Sequence, residues 1–302
     1  MIDLLENNFF IVLIVLLITV LIIQMARKFD INMYHEGFEQ NMPFVLKNGN
    51  DIYDSFYAIV YDDLNKTIDR TDFECNKIIE LTHPSISNSV FLDIGCGTGH
   101  LVNNLSDLGY QSHGIDVSQD MIEHSHKKFH DIQTKCGDAL DPLVYERMLF
   151  THITCMNYTI YHIQDKNKFF RNCYHWLIPN GYLILHLVDK DKYNPMAPMS
   201  KLGGSLKNGT FYGNTRKTEY KLEFKDFDYT SSHEFKPDNR VVVKESFEDN
   251  VTHNIRQNEL TLYMENKDEI IKMARNNGFI AHALINLLTD DYQYIYVFER
   301  ML

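Results

Sequence analysis

Basic residues are in short supply: 29 Lys and Arg stand against 41 Asp and Glu, a formal net charge of −12. A nonspecific nucleic-acid binder works through a basic footprint, so nucleic acid is not an expected partner. Cysteine offers no scaffold. Cys75, Cys96, Cys136, Cys155 and Cys173 are scattered and odd in number, with no C-x-x-C and no clustered Cys/His spacing. Neither a disulfide framework nor a metal site is expected, and the five read as free thiols in a reducing compartment. The phosphate-loop pattern GxxxxGK[ST] is missing, and no internal repeat is evident. What remains is a chain of 302 residues, 44% hydrophobic, with enough apolar mass for one large core.

The most informative stretch is Phe91-Leu92-Asp93-Ile94-Gly95-Cys96-Gly97-Thr98-Gly99-His100. It reads as a buried strand, a glycine-rich turn and the start of a helix. Gly95, Gly97 and Gly99 remove side chains where a ligand lies against the backbone. Asp93 closes the strand, and no phosphate-binding lysine follows. The dinucleotide fingerprint G-x-G-x-x-G/A fails at its last position, where His100 stands, which counts against a nicotinamide oxidoreductase. An acidic, lysine-free glycine turn suits a positively charged ligand without a pyrophosphate, and S-adenosylmethionine (SAM) has that chemistry.

Two further strand ends carry acids. A helix over 101–108 and a strand over 110–115 lead to Asp116, about 20 residues past the loop, where an acid accepts from ribose hydroxyls. Ser118 is a fitting N-cap for the helix behind it. A third strand over 132–136 ends at Gly137-Asp138-Ala139, where Asp138 can accept from an adenine amine.

With these stretches the chain resembles the class I SAM-dependent methyltransferases. The matching segments are 92–99, 114–118 with Met121, 136–139, 150–157 and the turn Leu177-Ile178-Pro179-Asn180-Gly181. Asn180 replaces a usual glycine, which asparagine can do because it tolerates left-handed angles. His152 replaces a frequent aspartate. The resemblance implies an α/β fold with a seven-stranded sheet of order 3-2-1-4-5-7-6 and helices on both faces. It implies SAM contacts at Asp93, Gly95, Cys96, Gly97, Gly99, Asp116, Val117, Met121, Asp138, Ala139 and Asn157. The helix around 52–62, with Tyr53, Tyr57 and Tyr61, resembles a lid that precedes the first core strand.

The amino terminus suggests a membrane anchor. Residues 9–26 form an apolar run of about 18 residues, close to the shortest that spans a bilayer. Asp3 and Glu6 precede it where a cleaved signal would carry basic residues, and only Ala26 is small enough for a cleavage site. Arg27 and Lys28 follow, which places the bulk of the chain on the cytoplasmic side. The expected organisation is an anchor at 1–28, a juxtamembrane linker at 29–50 and the catalytic domain at 51–302. Within that domain, 190–265 reads as a β-rich insertion capping the substrate site, with a turn at 236–240. Its glycine-rich leading part (Gly203, Gly204, Gly209, Gly213) reads as a mobile loop.

Methyl transfer depends chiefly on alignment and exclusion of water, so no base is assigned. Wall candidates are Asn157, Tyr158, Tyr161 and His162 after the fourth core strand, with Tyr53, Tyr57 and Tyr61 from the lid. Arg256 and Tyr263 are further candidates for holding an acceptor. The segment 157–161 is not the [N/D]-P-P-[Y/F] motif of adenine or glutamine methyltransferases. A small molecule, a lipid or a protein side chain remains open as acceptor. The alternative from another class is a catalytically silent SAM-binding scaffold tethered to a membrane.

Overall fold

The structure is a computed structural model that describes residues 42–65, 67–192, 205–212, 215–287 and 292–302, with Thr19, Gln40 and Pro195. Gln40–Leu302 belong to one compact unit. The expected anchor at 9–26 lies, Thr19 apart, outside the described residues, and so does most of 29–41. Among the described residues no helix is long and apolar enough to cross a membrane.

The described chain opens with β1 (Phe44–Asn48), a 3-10 turn (Gly49–Ile52), α1 (Ser55–Asn65) and α2 (Thr67–Thr82). Strands and helices then alternate: β2 (Val90–Ile94), α3 (His100–Asp107), β3 (Gln111–Asp116), α4 (Gln119–Lys128), β4 (Gln133–Cys136) and β5 (Phe150–Cys155). A short α5 (Thr159–His162), α6 (Lys166–Trp176) and β6 (Leu177–Val188) complete this half. Next come β7 (Ser205–Tyr212), β8 (Thr215–Glu223), β9 (Phe227–Phe235), β10 (Arg240–Asp249) and β11 (Ile255–Tyr263). The chain ends with α7 (Lys267–Asn276), β12 (Phe279–Asn286) and β13 (Gln293–Arg300).

The core sheet has the order β12-β13-β6-β5-β2-β3-β4. Counted within that sheet, this is the expected 3-2-1-4-5-7-6. β2 pairs in parallel with β3 and β5, and only β13 and its partners run antiparallel. Parallel strands need crossover helices, which cover both faces and make the strands apolar throughout. Leu92, Ile153, Leu183 and Leu185 are accordingly fully buried, with Phe169, Phe170 and Trp176 of α6 packed over them. Local signals place the ends. Ser118 caps α4 by accepting from Met121 N at 3.0 Å. Asn266 and Glu269 form a reciprocal capping box on α7. Asn180 takes φ +60°, the left-handed angle for which it stands in for glycine. His152 is buried and stacks on Phe91 at 4.3 Å, and burial lowers its pKa to about 4, so it serves as a neutral packing ring.

The insertion supplies five strands of a second, six-stranded sheet, β1-β11-β10-β9-β8-β7, whose sixth strand is β1. The Lys236–Arg240 turn joins β9 to β10, with Asn239 at φ +64° and Lys236 N donating to Arg240 O at 2.8 Å. Two expectations need correction. Residues 205–212, expected as a mobile loop, form β7 against β8; Gly203, Gly204 and Gly213 lie outside the described residues. Part of the expected 29–50 linker is β1, which adds a parallel edge strand to β11. Its sequence Phe44-Val45-Leu46-Lys47-Asn48 alternates only weakly and leaves Phe44 and Leu46 about half exposed, so burial alone did not announce a strand.

The cap sheet seats on α1. Phe56 meets Phe247 and Phe227 edge-on at ring distances of 5.2 and 6.4 Å. Arg256, buried on β11, donates to both oxygens of Asp54 (3.0 and 2.9 Å), to Ile52 O (2.9 Å) and to Asn258 (3.0 Å). On the other side, Lys166 Nζ donates to Tyr263 O and Ile163 O, each at 2.8 Å, and pairs with Glu265.

Trp176 is the largest fully buried side chain, and its indole donates to Pro142 O at 3.2 Å. Trp176→Ala is expected to lower stability by about 3–5 kcal/mol, because the removed volume cannot be refilled by close-packed neighbours. Urea titration checks this as a lower midpoint at an unchanged slope.

Candidate active site

β2 delivers Asp93 to the edge of the sheet, and the chain turns there through Gly95, Gly97 and Gly99 at φ +70°, +51° and +82°. The three glycines differ in what surrounds them. A Cβ on Gly95 would stand 2.4 Å from Thr159 Cγ2, and one on Gly99 2.7 Å from Ile132 Cδ1. A Cβ on Gly97 would meet nothing nearer than Tyr61 Cε1 at 3.8 Å. Gly95 and Gly99 are therefore demanded by protein packing as well as by angle. Gly97 faces the open cleft that Asp93, Thr98, Met156 and Asn157 also border.

Asp93 is the floor of that cleft. It is 5% exposed, and one oxygen accepts from Thr154 Oγ1 at 2.6 Å. Burial raises its pKa to about 7; the Thr154 hydroxyl opposes the rise, while Glu74 and Asp116 add to it. No cationic side chain pairs with it among the described residues. Two more buried polar atoms at the cleft lack a partner, Asn157 Oδ1 and Thr67 Oγ1. A buried acid awaiting a cation beside unfilled acceptors fits the charged amino acid end of SAM.

The other expected donor residues are distributed as follows. Asp116 reaches back to the glycine turn, accepting from Gly97 N and Ser118 N, each at 2.9 Å. Burial raises its pKa against those backbone donors. Val117 leaves 48% of its surface exposed next to it, an apolar face at the place where a base ring is expected. Asp138 is exposed and accepts from Leu140 N at 2.8 Å. Cys96, Met121 and Ala139 are buried. The Cys96 thiol packs against Gly114, so this residue offers its backbone to the cleft. Ala139 belongs to the main core cluster, and its carbonyl accepts from Asn172 Nδ2 at 2.9 Å.

Several residues at the cleft were not singled out from the sequence. Arg70 and Glu74 sit one turn apart on α2, 2.7 Å from each other, with Glu74 2% exposed. Arg70 also contacts the Tyr158 ring face at 5.4 Å and His186 at 3.3 Å. Their spacing of four was visible, but such a pair ordinarily marks a solvated helix face. Asp62 accepts from Thr98 Oγ1 (2.6 Å), His100 Nε2 (3.0 Å) and Lys128 Nζ (2.6 Å). Burial pushes its pKa up, but these donors outweigh it and hold the carboxyl well below its ordinary range. His100, which breaks the dinucleotide pattern, thus clamps α1 over the glycine turn.

The wall candidates separate. Asn157, at φ +45°, donates to Tyr61 Oη at 2.7 Å and borders the cleft. Tyr57 donates to Glu245 at 2.9 Å. His162 packs beside Tyr53 at a ring distance of 5.9 Å, and burial, with Lys166 adding, lowers its pKa to about 4. It is neutral at physiological pH and a weak base. Tyr161 is not a wall residue: it is fully buried, and its oxygen accepts from Val188 N at 2.8 Å. Arg256 is likewise taken out of the acceptor set, because Asp54, Ile52 and Asn258 occupy its guanidinium. Among the described residues no group of His, Cys, Asp and Glu is arranged to hold a metal ion.

Residues 92–185 match the family described as methyltransferase domain. The chain is 29% identical over 104 residues to a ubiquinone biosynthesis O-methyltransferase of Coxiella burnetii, covering 33% of this chain and 44% of that protein. It is 29% identical over 110 residues to a phosphoethanolamine N-methyltransferase of Plasmodium falciparum, covering 32% and 38%. The chain thus spans less than half the length of either relative. In fold it is similar to an S-adenosylmethionine-dependent methyltransferase from Clostridium acetobutylicum, with a TM-score of 0.61 and 19% identity over 82% of this chain and 98% of that one. SAM is the methyl donor that a methyltransferase domain of this fold uses.

The pKa of Asp93 makes the domain pH-sensitive. A cation binds beside the ionised acid only, so SAM affinity is expected to rise as pH increases through about 7 and then level off. Asp93→Asn should flatten that rise in calorimetric titrations. The folded state holds this proton more tightly than the unfolded chain. Native stability is therefore expected to fall as pH rises from about 4 towards 7, and the asparagine variant should lose that component in urea titrations at paired pH values.

Proposed function

We propose that the protein is a SAM-dependent methyltransferase that methylates a small-molecule acceptor held between the donor cleft and the inner face of the cap sheet. The observation that carries the reading is Asp93: a buried carboxyl with a pKa near 7, facing a glycine turn, with no cationic partner among the described residues. Similarity to an O-methyltransferase and an N-methyltransferase supports the reaction class without choosing the acceptor atom.

When bound, SAM supplies an electrophilic methyl group on a sulfonium. The chain supplies everything else. Asp93 takes the amino group, and Arg70, kept in place by Glu74, takes the carboxylate. Gly95, Gly97 and Gly99 let the backbone come close. Asp116 would accept from the ribose hydroxyls, and Val117 and Asp138 would hold the adenine. Cys96, Met121 and Ala139 set the shape behind these contacts. Asn157 and Tyr61, joined by a hydrogen bond, wall the reacting end. The lid, clamped by Asp62, keeps water out, so that alignment provides much of the rate.

Removing Asp93 leaves a buried cation unpaired. Asp93→Ala is therefore expected to weaken SAM binding by about 2–5 kcal/mol, roughly thirtyfold or more, with cooperative unfolding retained. Calorimetry with SAM and S-adenosylhomocysteine reads this directly, and wild-type affinity in the variant would overturn the donor site. Methyl transfer is tested with radiolabelled SAM against panels of small metabolites, lipids and proteins.

Residues 9–26 are proposed to tether the enzyme to a membrane, with the catalytic domain on the cytoplasmic side. The apolar run, broken only by Thr19 and Gln24, and the Arg27-Lys28 pair behind it support this placement. The chain is expected in the carbonate-resistant membrane fraction, digestible by protease added from the cytoplasmic side of sealed vesicles. Recovery in the carbonate extract, or protection from that protease, would reverse the respective part of the proposal.

A further inference from the structure

Glu245 lies on β10, on the face of the cap sheet turned towards α1. Its carboxyl group collects three hydrogen bonds, from Tyr57 Oη (2.9 Å), Tyr229 Oη (2.5 Å) and Asn258 Nδ2 (3.1 Å). All three groups donate, and the carboxyl acts as acceptor. It is half-buried, and no Lys, Arg or His forms an ion pair with it among the described residues. Negative charge withdrawn from water and met only by neutral donors favours a cation from elsewhere.

The surroundings are aromatic. Tyr53 stands edge-on to Tyr57 at 5.3 Å, and Tyr57 and Tyr229 both pack against Phe247, at 6.2 and 4.9 Å. Tyr220 adds a ring 5.9 Å from Tyr229. Burial and the charge on Glu245 push the Tyr57 and Tyr229 phenols well above their usual pKa, so both remain neutral donors. Ring faces carry negative potential and attract alkylammonium groups, most strongly away from water. An anionic ligand would instead face the carboxylate.

Beyond this cluster on the same face, Thr218 lies opposite His233 in the β8–β9 ladder, two pairs along from Tyr220 and Ser231. Thr218 Oγ1 and His233 Nδ1 are buried without a hydrogen-bond partner among the described residues. They give a ligand's polar arm something to hold. In the other direction Tyr57 is 6.1 Å from Tyr61, which is bonded to Asn157 in the donor cleft. The cluster thus lies next to the site of methyl transfer.

We infer that Glu245, within the cage of Tyr53, Tyr57, Tyr220 and Tyr229, recognises a cationic nitrogen of the methyl acceptor, and that the acceptor is an aliphatic ammonium compound with a hydrogen-bonding arm. This rests on the methyltransferase reading and adds the acceptor class to it. Glu245 acts in recognition and takes no part in bond making.

The test uses the full-length chain in mild detergent, saturated with S-adenosylhomocysteine, titrated with choline and with its uncharged isostere 3,3-dimethyl-1-butanol. Choline is expected to bind at least about tenfold more tightly than the isostere. Glu245→Gln keeps the shape and removes the charge. It should cancel that preference while leaving S-adenosylhomocysteine affinity as in the wild type and urea unfolding cooperative. Equal binding of the two probes, no choline binding at all, or an unchanged preference in the glutamine variant would overturn the inference. Failure of the wild type to bind S-adenosylhomocysteine is a separate result and would strike at the donor site instead.

Discussion

Parallel pairing of β2 with β3 and β5 is the constraint on which the rest of the structure depends. Strands that run the same way end at the same edge, so Asp93, Asp116 and Asn157 emerge side by side although they are far apart in sequence. The crossover helices that this pairing requires bury both faces of the sheet. That burial makes the Asp93 carboxyl costly to ionise. The fold thus creates a need for positive charge at the point where it also leaves room for a ligand.

The cap is held to this frame by charge as much as by apolar contact. Arg256 binds Asp54 and the Ile52 carbonyl at the start of the lid, while Asp62 near its end grips Thr98, His100 and Lys128. Both ends of α1 are therefore fixed by groups from different layers. Tyr57 and Tyr61, on successive turns between these clamps, look towards Glu245 and Asn157 respectively. One short helix sets the spacing between the donor cleft and the cap.

The donor half was legible because its signals are local. A strand end, a glycine turn and an acid fall within a few residues, and Asn180 announces its own backbone angle. Ser118 likewise caps the helix that its position promised. Residues acting across the fold were not legible. Arg70 and Glu74 look like any solvated helix pair until α2 packs over the glycine turn. Tyr161 looked like a wall residue, but its oxygen is turned into the sheet edge towards Val188 N. Arg256 looked free because its partner Asp54 is distant in sequence. β1 was read as linker because a half-exposed edge strand shows little alternation, and only its pairing with β11 defines it.

The core sheet is not continuous in sequence. β6 ends at Val188 and its neighbour β13 begins at Gln293, with the whole cap between them. Pairing these strands closes a long loop, and the entropy of doing so has to be met before any contact between them forms. The cap meander from β7 to β11 closes only short turns. The cap's own contacts are local and cost little closure entropy, and a formed cap shortens the effective loop between the two distant ends. The insertion that shapes the acceptor side thereby also bears on the non-local pairing by which the final two strands join the sheet.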